Sequence, residues 1–263
     1  MEIAHRHGVL TAASLMVAAP AAADAVAKAR TMPELGVGLH LVLVEGKPIL
    51  PARQVSHLVG PDGCFRADMA AAGATMFFDP RARRQLEAEI AAQFEAFAAT
   101  GLPLDHVNAH KHFHLHPTIA GLILKIGARH GLRAARAPVE PAEVLNRIEP
   151  ERGGRGQVVF NLMARALGDR LRRAGLTTPD QVFGLRWSGA MTTRRLRGLI
   201  ENLPTGLTEI YLHPATANAY PGSAPGYRYV EELAALTAPE VIAAVERSRA
   251  GAGGFMTHLS AAT

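Results

Sequence analysis

Val37-Gly38-Leu39-His40-Leu41-Val42-Leu43-Val44 is a nearly continuous apolar run broken by one histidine. Such a run suits a strand buried on both faces, as strands are inside a parallel sheet. The flanking sequence predicts more of the same architecture. A strand over Val9 to Val17 comes first, then a helix from Pro20 to Arg30. Residues 46–79 are rich in Gly and Pro and read as a long excursion. Leu86, Ile90, Phe94 and Phe97 recur at spacings of three and four, which predicts a helix over 80–99 ended by Gly101 and Pro103. Leu104 to His110 reads as a strand.

Pro117 opens the next helix, with Ile119, Leu122, Ile123 and Ile126 on one side and Gly131 as the stop. A short strand over Leu132 to Ala137 follows, then a polar loop at 140–156. Beyond it the pattern predicts a helix (Val158 to Ala174), a weak strand (Val182 to Leu185), a helix (Thr192 to Asn202) and a strand (Gly206 to His213). A loop at 214–229 and a last helix, Ala238 to Arg249, complete the chain. Strand and helix alternate throughout, which implies parallel strands with helices packed outside. No linker divides the sequence, so residues 1–263 read as one domain.

Composition narrows the function. One cysteine in 263 residues excludes an internal disulfide framework and a cysteine zinc cluster. Cys64 itself sits in a Gly-flanked loop with no obvious role. The net charge is +5, and the basic residues are mostly Arg; those at 81–84, 165–173 and 194–197 have the spacing of solvated helix faces. No nucleic-acid-binding motif accompanies them, so no nucleic-acid partner is expected. The first 25 residues resemble a signal peptide in outline. Glu2, Thr11, Ser14 and Pro20 favour a strand and a helix instead. No apolar run approaches the roughly 20 residues of a spanning helix. A cytoplasmic location is expected.

In folds of this kind ligands bind at the carboxyl ends of the strands. Histidines mark three such places: His40, the stretch Asn108-Ala109-His110-Lys111-His112-Phe113-His114-Leu115-His116, and His213. If the middle stretch is extended, its four histidines share one face. A metal ion or a polar cavity would account for them; a solvated loop or hydrogen-bonded core histidines would do so as well. His40 needs a partner, since burying an imidazole without one costs about 1–3 kcal/mol. A second histidine sharing a divalent ion would supply it. Other chemistries fit poorly. There is no G-x-S-x-G, no H-E-x-x-H and no Walker loop. Gly36-Val37-Gly38 starts like a dinucleotide fingerprint, but Leu41 stands at the third glycine position.

Gly38-Leu39-His40-Leu41, the stretch Asn108 to Pro117, Arg136-Ala137-Pro138 and Leu212-His213-Pro214-Ala215 resemble the YdjC-type carbohydrate deacetylases, over almost the whole chain. Leu104 to Pro117 and Leu39 to Gly46 are similar to the hopanoid-biosynthesis (HpnK) group. The resemblance implies a distorted (β/α) barrel related to the NodB-type deacetylases. It implies removal of an N-acetyl group with a divalent ion, Mg²⁺ or Zn²⁺, held by one Asp and two His. His40 and His110 carry over as metal ligands. His213 is expected to assist acid–base chemistry, and Arg136 to orient a catalytic carboxylate. In the hopanoid group the substrate would be an N-acetylglucosaminyl lipid, consistent with contact at the inner membrane surface. Phe65, Met69, Met76, Phe77 and Phe78 are candidates to face its apolar part, or else to pack within their loop. Soluble chitooligosaccharides are the alternative substrate, and a non-catalytic metal- or sugar-binding protein the alternative role. The family's paired-aspartate strand, A-D-D-F-G, has no counterpart here. Met1 to Gly8 match the helix that follows it, so the expectation is a misassigned start site and a longer cellular protein; a truncated relative is the alternative.

Overall fold

The computed structural model describes residues 1–151, 154–248 and 250–260. In chain order the elements are α1 (Glu2–Arg6), β1 (Ala12–Leu15), α2 (Ala22–Ala29), β2 (Gly36–Leu41), α3 (Met69–Phe78), α4 (Pro80–Ala99), β3 (Val107–Ala109) and α5 (Pro117–Gly127). After them come α6 (Ala142–Ile148), α7 (Arg155–Arg173), β4 (Gln181–Phe183), α8 (Thr193–Glu201), β5 (Thr208–Ile210), α9 (Tyr229–Thr237), α10 (Pro239–Ser248) and α11 (Phe255–Ser260). They form two compact units, each assembled from three separated stretches. Ala12–Arg136, Asp169–Thr177 and Gly253–Thr263 make the β1–β3 unit; Met1–Thr11, Ala137–Gly168 and Thr178–Ala252 make the β4–β5 unit. The fold is α/β with parallel strands, as the alternation predicts.

The β1–β3 unit is a sheet of order β1-β2-β3, all parallel. Parallel bridges from Val107 to Ala135 and from Ala134 to Thr177 carry the pairing further, where a short strand over Leu132 to Ala137 is expected. Leu39 and Leu41 in β2, and Leu43 and Val44 just beyond its end, are almost wholly buried. Helix α4 buries Leu86, Ile90, Phe94 and Phe97, the four positions picked out by their spacing. Asp79 caps it by accepting from the Arg81 N–H at 2.7 Å, and Pro80 takes the first helical position.

The excursion at 46–79 holds more structure than its composition suggests. Residues 52–54 form a 3₁₀ turn and α3 is a full helix. Met69-Ala-Ala-Ala-Gly-Ala-Thr-Met-Phe-Phe78 carries no apolar stripe of the usual period. Alanine propensity and a cap make the helix instead. The Asp68 carboxylate accepts from the Ala70 and Ala71 N–H groups, both at 3.0 Å. Asp68→Ala should therefore lower stability by about 1 kcal/mol. An unchanged urea midpoint would contradict this.

The β4–β5 unit pairs its two strands in parallel. Phe183, Trp187, Met191, Leu199 and Leu236 belong to its core. The expected loop at 140–156 contains α6, which buries Val144 and Leu145. Glu140, just before it, accepts from the N–H groups of Gly184, Leu185 and Arg186 at 2.8–2.9 Å and so ties down the chain leaving β4. Helix α9 stands between the expected loop at 214–229 and the expected last helix, and Ala238 before Pro239 separates it from α10. Among the arginines expected to be solvated, Arg195 lies over the Trp187 ring and makes two 2.8 Å bonds to Glu149. No helix among the described residues is long and apolar enough to cross a membrane.

Candidate active site

β2 and β3 bring the first histidines together. Their register sets His40 opposite Asn108, and the Asn108 Oδ1 lies 2.6 Å from His40 Nδ1. An amide oxygen only accepts, so Nδ1 is the protonated nitrogen and Nε2 keeps its lone pair. Burial holds the His40 pKa down to about 3. The Asn108 bond opposes this, while charge on His110, Arg136 and His114 reinforces it. His40 is thus neutral at pH 7, the form a metal ligand requires.

β3 ends at Ala109, and His110 follows at once. The His40 and His110 rings meet edge to face with centroids 5.8 Å apart. Burial lowers the His110 pKa, against the opposing charge of Glu45. Glu45 Oε2 lies 3.8 Å from His110 Nε2, and the same carboxylate pairs with Lys111. Glu45 holds a left-handed backbone, φ 58°.

The four histidines do not share a face. His110–Leu115 is a 3₁₀ segment in which Lys111 and His112 take left-handed φ values of 52° and 55°. Consecutive left-handed residues with side chains break the two-residue alternation. Such strain, about 1–3 kcal/mol per residue, is characteristic of functional segments. The turn sends the rings apart. His112 and His114 lie 5.9 Å from each other, and His116 packs between Phe77 and Phe113. His114 is buried; burial, then the Arg136 charge, holds its pKa down to about 3.

Arg136 is buried just beyond the bridge at Ala135 and acts electrostatically on both His40 and His114. His213 belongs to the β4–β5 unit. Its backbone N–H donates to Glu232, and its ring stands 5.6 Å from Tyr211 and 5.1 Å from Tyr227. Glu232 is buried; burial raises its pKa, with the Met191 and His213 N–H bonds opposing.

The donor set suits a divalent ion as a pair of neutral imidazoles at neighbouring strand ends. Among the described residues no third His, Cys, Asp or Glu joins them in a metal-binding group. Two imidazoles with open positions are compatible with zinc and other divalent ions.

Behind His40 runs a polar chain of three buried residues and the half-buried Ser14. Asn108 Nδ2 donates to Ser14 Oγ at 2.9 Å. Ser14 Oγ meets His106 Nε2 at 2.9 Å, and His106 Nδ1 meets the Asp105 carboxylate at 2.8 Å. Asp105 also accepts from the Phe255 and Met256 N–H groups at the start of α11. One signal was available. Gly36 and Gly38 are the glycines that resemble a dinucleotide fingerprint, and their absent side chains make room for this chain. A Cβ on Gly38 would fall 2.5 Å from the His106 ring, and one on Gly36 2.8 Å from the Asp105 carboxyl.

The parallel strands define an α/β protein, and His40 and His110 at neighbouring strand ends are its candidate site. The chain belongs to the YdjC-like protein family, whose sequence model matches residues 1–247. A carbohydrate deacetylase of Geobacillus stearothermophilus is 32% identical over 244 residues, which span 91% of this chain and 83% of that protein. A human carbohydrate deacetylase is 28% identical over 266 residues, 88% of this chain and 77% of the relative. In fold the chain is similar to the crystal structure of a candidate cellobiose-phosphate cleavage protein from Enterococcus faecalis. The TM-score is 0.75 at 22% identity, covering 98% of this chain and 91% of that one.

Proposed function

We propose that this chain is a carbohydrate deacetylase that hydrolyses the acetamide of an N-acetylated amino sugar, releasing acetate and the amine. The names of its relatives support the reaction class. The observation that carries the site is the 5.8 Å approach of His40 and His110. They would hold a divalent ion, Mg²⁺ or Zn²⁺, which supplies Lewis-acid polarisation and water activation. The chain's own residues have distinct tasks. Burial keeps His40 neutral, and Asn108 aims it. Arg136 places a buried positive charge beside the histidines, suited to orienting a carboxylate. His213 would pass a proton to the departing nitrogen. The resemblance assigns the base to an aspartate of the paired-aspartate strand.

The substrate is proposed to be an N-acetylglucosaminyl hopanoid lipid, in the cytoplasm at the inner membrane surface. The wording from Leu104 to Pro117 supports the hopanoid group. Phe65 and Met76, expected as candidates for an apolar substrate, instead lie buried in the core. Phe77 and Phe78 stay exposed, Phe78 at 77%, and continue as candidates. Chitooligosaccharides are the second reading, favoured by the carbohydrate named in the relatives.

Mass spectrometry of N-acetylglucosaminyl hopanoid and of chitobiose, each under saturating Mg²⁺ or Zn²⁺, tests both readings. It should be run with this chain and with one extended through the in-frame upstream coding sequence. Deacetylated lipid is the expected product. Conversion of chitobiose alone would replace the lipid by the soluble sugar. Acetate from neither substrate with either chain would overturn the deacetylase reading.

A further inference from the structure

We infer that Asp105, His106, Ser14 and Asn108 form a one-way hydrogen-bond chain that fixes the tautomer of His40 and makes all four positioning residues of the site. The consequence for metal binding rests on the proposed function; the chain itself does not.

The direction follows from its far end. Asp105 is 4% exposed and accepts from two backbone N–H groups, Phe255 at 3.1 Å and Met256 at 2.9 Å. Burial pushes its carboxyl up, but the bonds from His106 and these amides outweigh that and leave it below its ordinary value. It is therefore a carboxylate at neutral pH and cannot donate, so the proton between it and His106 sits on His106 Nδ1. With Nδ1–H committed to Asp105, His106 offers Nε2 as the acceptor, and the Ser14 hydroxyl, 2.9 Å away, donates to it. Ser14 Oγ in turn accepts from Asn108 Nδ2. That turns Asn108 Oδ1 toward His40, whose Nδ1 must donate. Donation runs from His40 through Asn108, Ser14 and His106 to Asp105, and each link sets the next. Reversing it would require both nitrogens of His106, 2% exposed, to carry protons.

The sheet is built for this path. Ser14 is paired in register with Gly38, and His106 lies on the other side of β2. Only a glycine between them lets the serine reach across the strand. The order Ser14–His106–Asp105 is also that of a hydrolase triad. Here the serine oxygen is already engaged by Asn108, which makes it a relay rather than a nucleophile.

The test is a long-range ¹H–¹⁵N correlation spectrum of the metal-free protein, which reads the tautomer of each histidine. His40 and His106 should both be Nδ1–H. Asn108→Leu and Ser14→Ala should each leave His40 without a single tautomer, while Asn108→Asp, which keeps an acceptor, should restore it. An Nε2–H His40 in the unmodified protein would overturn the inference. So would an unchanged His40 spectrum in Asn108→Leu, or labelling of Ser14 by a fluorophosphonate. If a variant fails to fold, the spectrum of the unmodified protein still decides. Zinc titration separates the two proposals. Asn108→Leu should weaken zinc binding by about 10–100-fold. Zinc that binds nowhere near His40, with the tautomers as expected, would leave the chain standing and remove the metal reading.

Discussion

His40→Ala and His110→Ala are each expected to cut kcat/KM for acetate release by about 10³-fold. Lewis-acid stabilisation supplies several kcal/mol, and each 1.36 kcal/mol is tenfold in rate. The two rings lie 5.8 Å apart and are proposed to share one ion. Removing both should therefore cost little more than removing either, because residues that act as a unit are not additive. Circular dichroism would confirm that the variants fold. Either single variant keeping more than a tenth of the activity would contradict a shared site, and so would fully multiplicative losses. Arg136→Lys should cost less, since it retains the charge and loses only the guanidinium's planar fork.

Asp105→Ala is expected to destabilise the fold by about 3 kcal/mol, since each buried donor left without its acceptor costs about 1–3 kcal/mol. It orphans the His106 Nδ1–H together with the Phe255 and Met256 amides, so α11 loses its anchor as well. The sign of the pH dependence follows from the depressed carboxyl. A folded pKa below the unfolded value near 3.9 means that the unfolded chain takes up the proton first. The stabilisation is complete above that value and is lost as the pH falls through the folded one. Urea unfolding should therefore show the milder Asp105→Asn variant well below the unmodified protein at pH 7, with the gap narrowing by pH 3. A gap constant over that range would contradict the assignment of charge to Asp105.

The parts of this molecule that announce themselves in sequence do so through apolar periodicity. β2 is legible because a strand covered on both faces must be apolar at successive positions, and α4 because its buried face recurs every three or four residues. α3 and α6 were missed for the complementary reason. The first is held by alanines and the Asp68 carboxylate, and the second buries only Val144 and Leu145. His40 and His110 stood out because a histidine in or beside an apolar strand needs an explanation. The turn at Lys111 and His112 carries no glycine, so nothing in the residue types signals the left-handed backbone that scatters the later rings. Asp105, His106 and Ser14 are ordinary residues individually. Only the register of three strands, with Gly38 between two of them, joins them to His40.

The central claim is that His40 and His110 bind one ion. The most direct measurement is anomalous diffraction at the zinc edge from crystals grown with zinc. One peak bonded to His40 Nε2 and to the His110 ring, at about 2.0–2.1 Å from each nitrogen, is the predicted result. A zinc peak elsewhere, or one bonded to His40 through Nδ1, would contradict it.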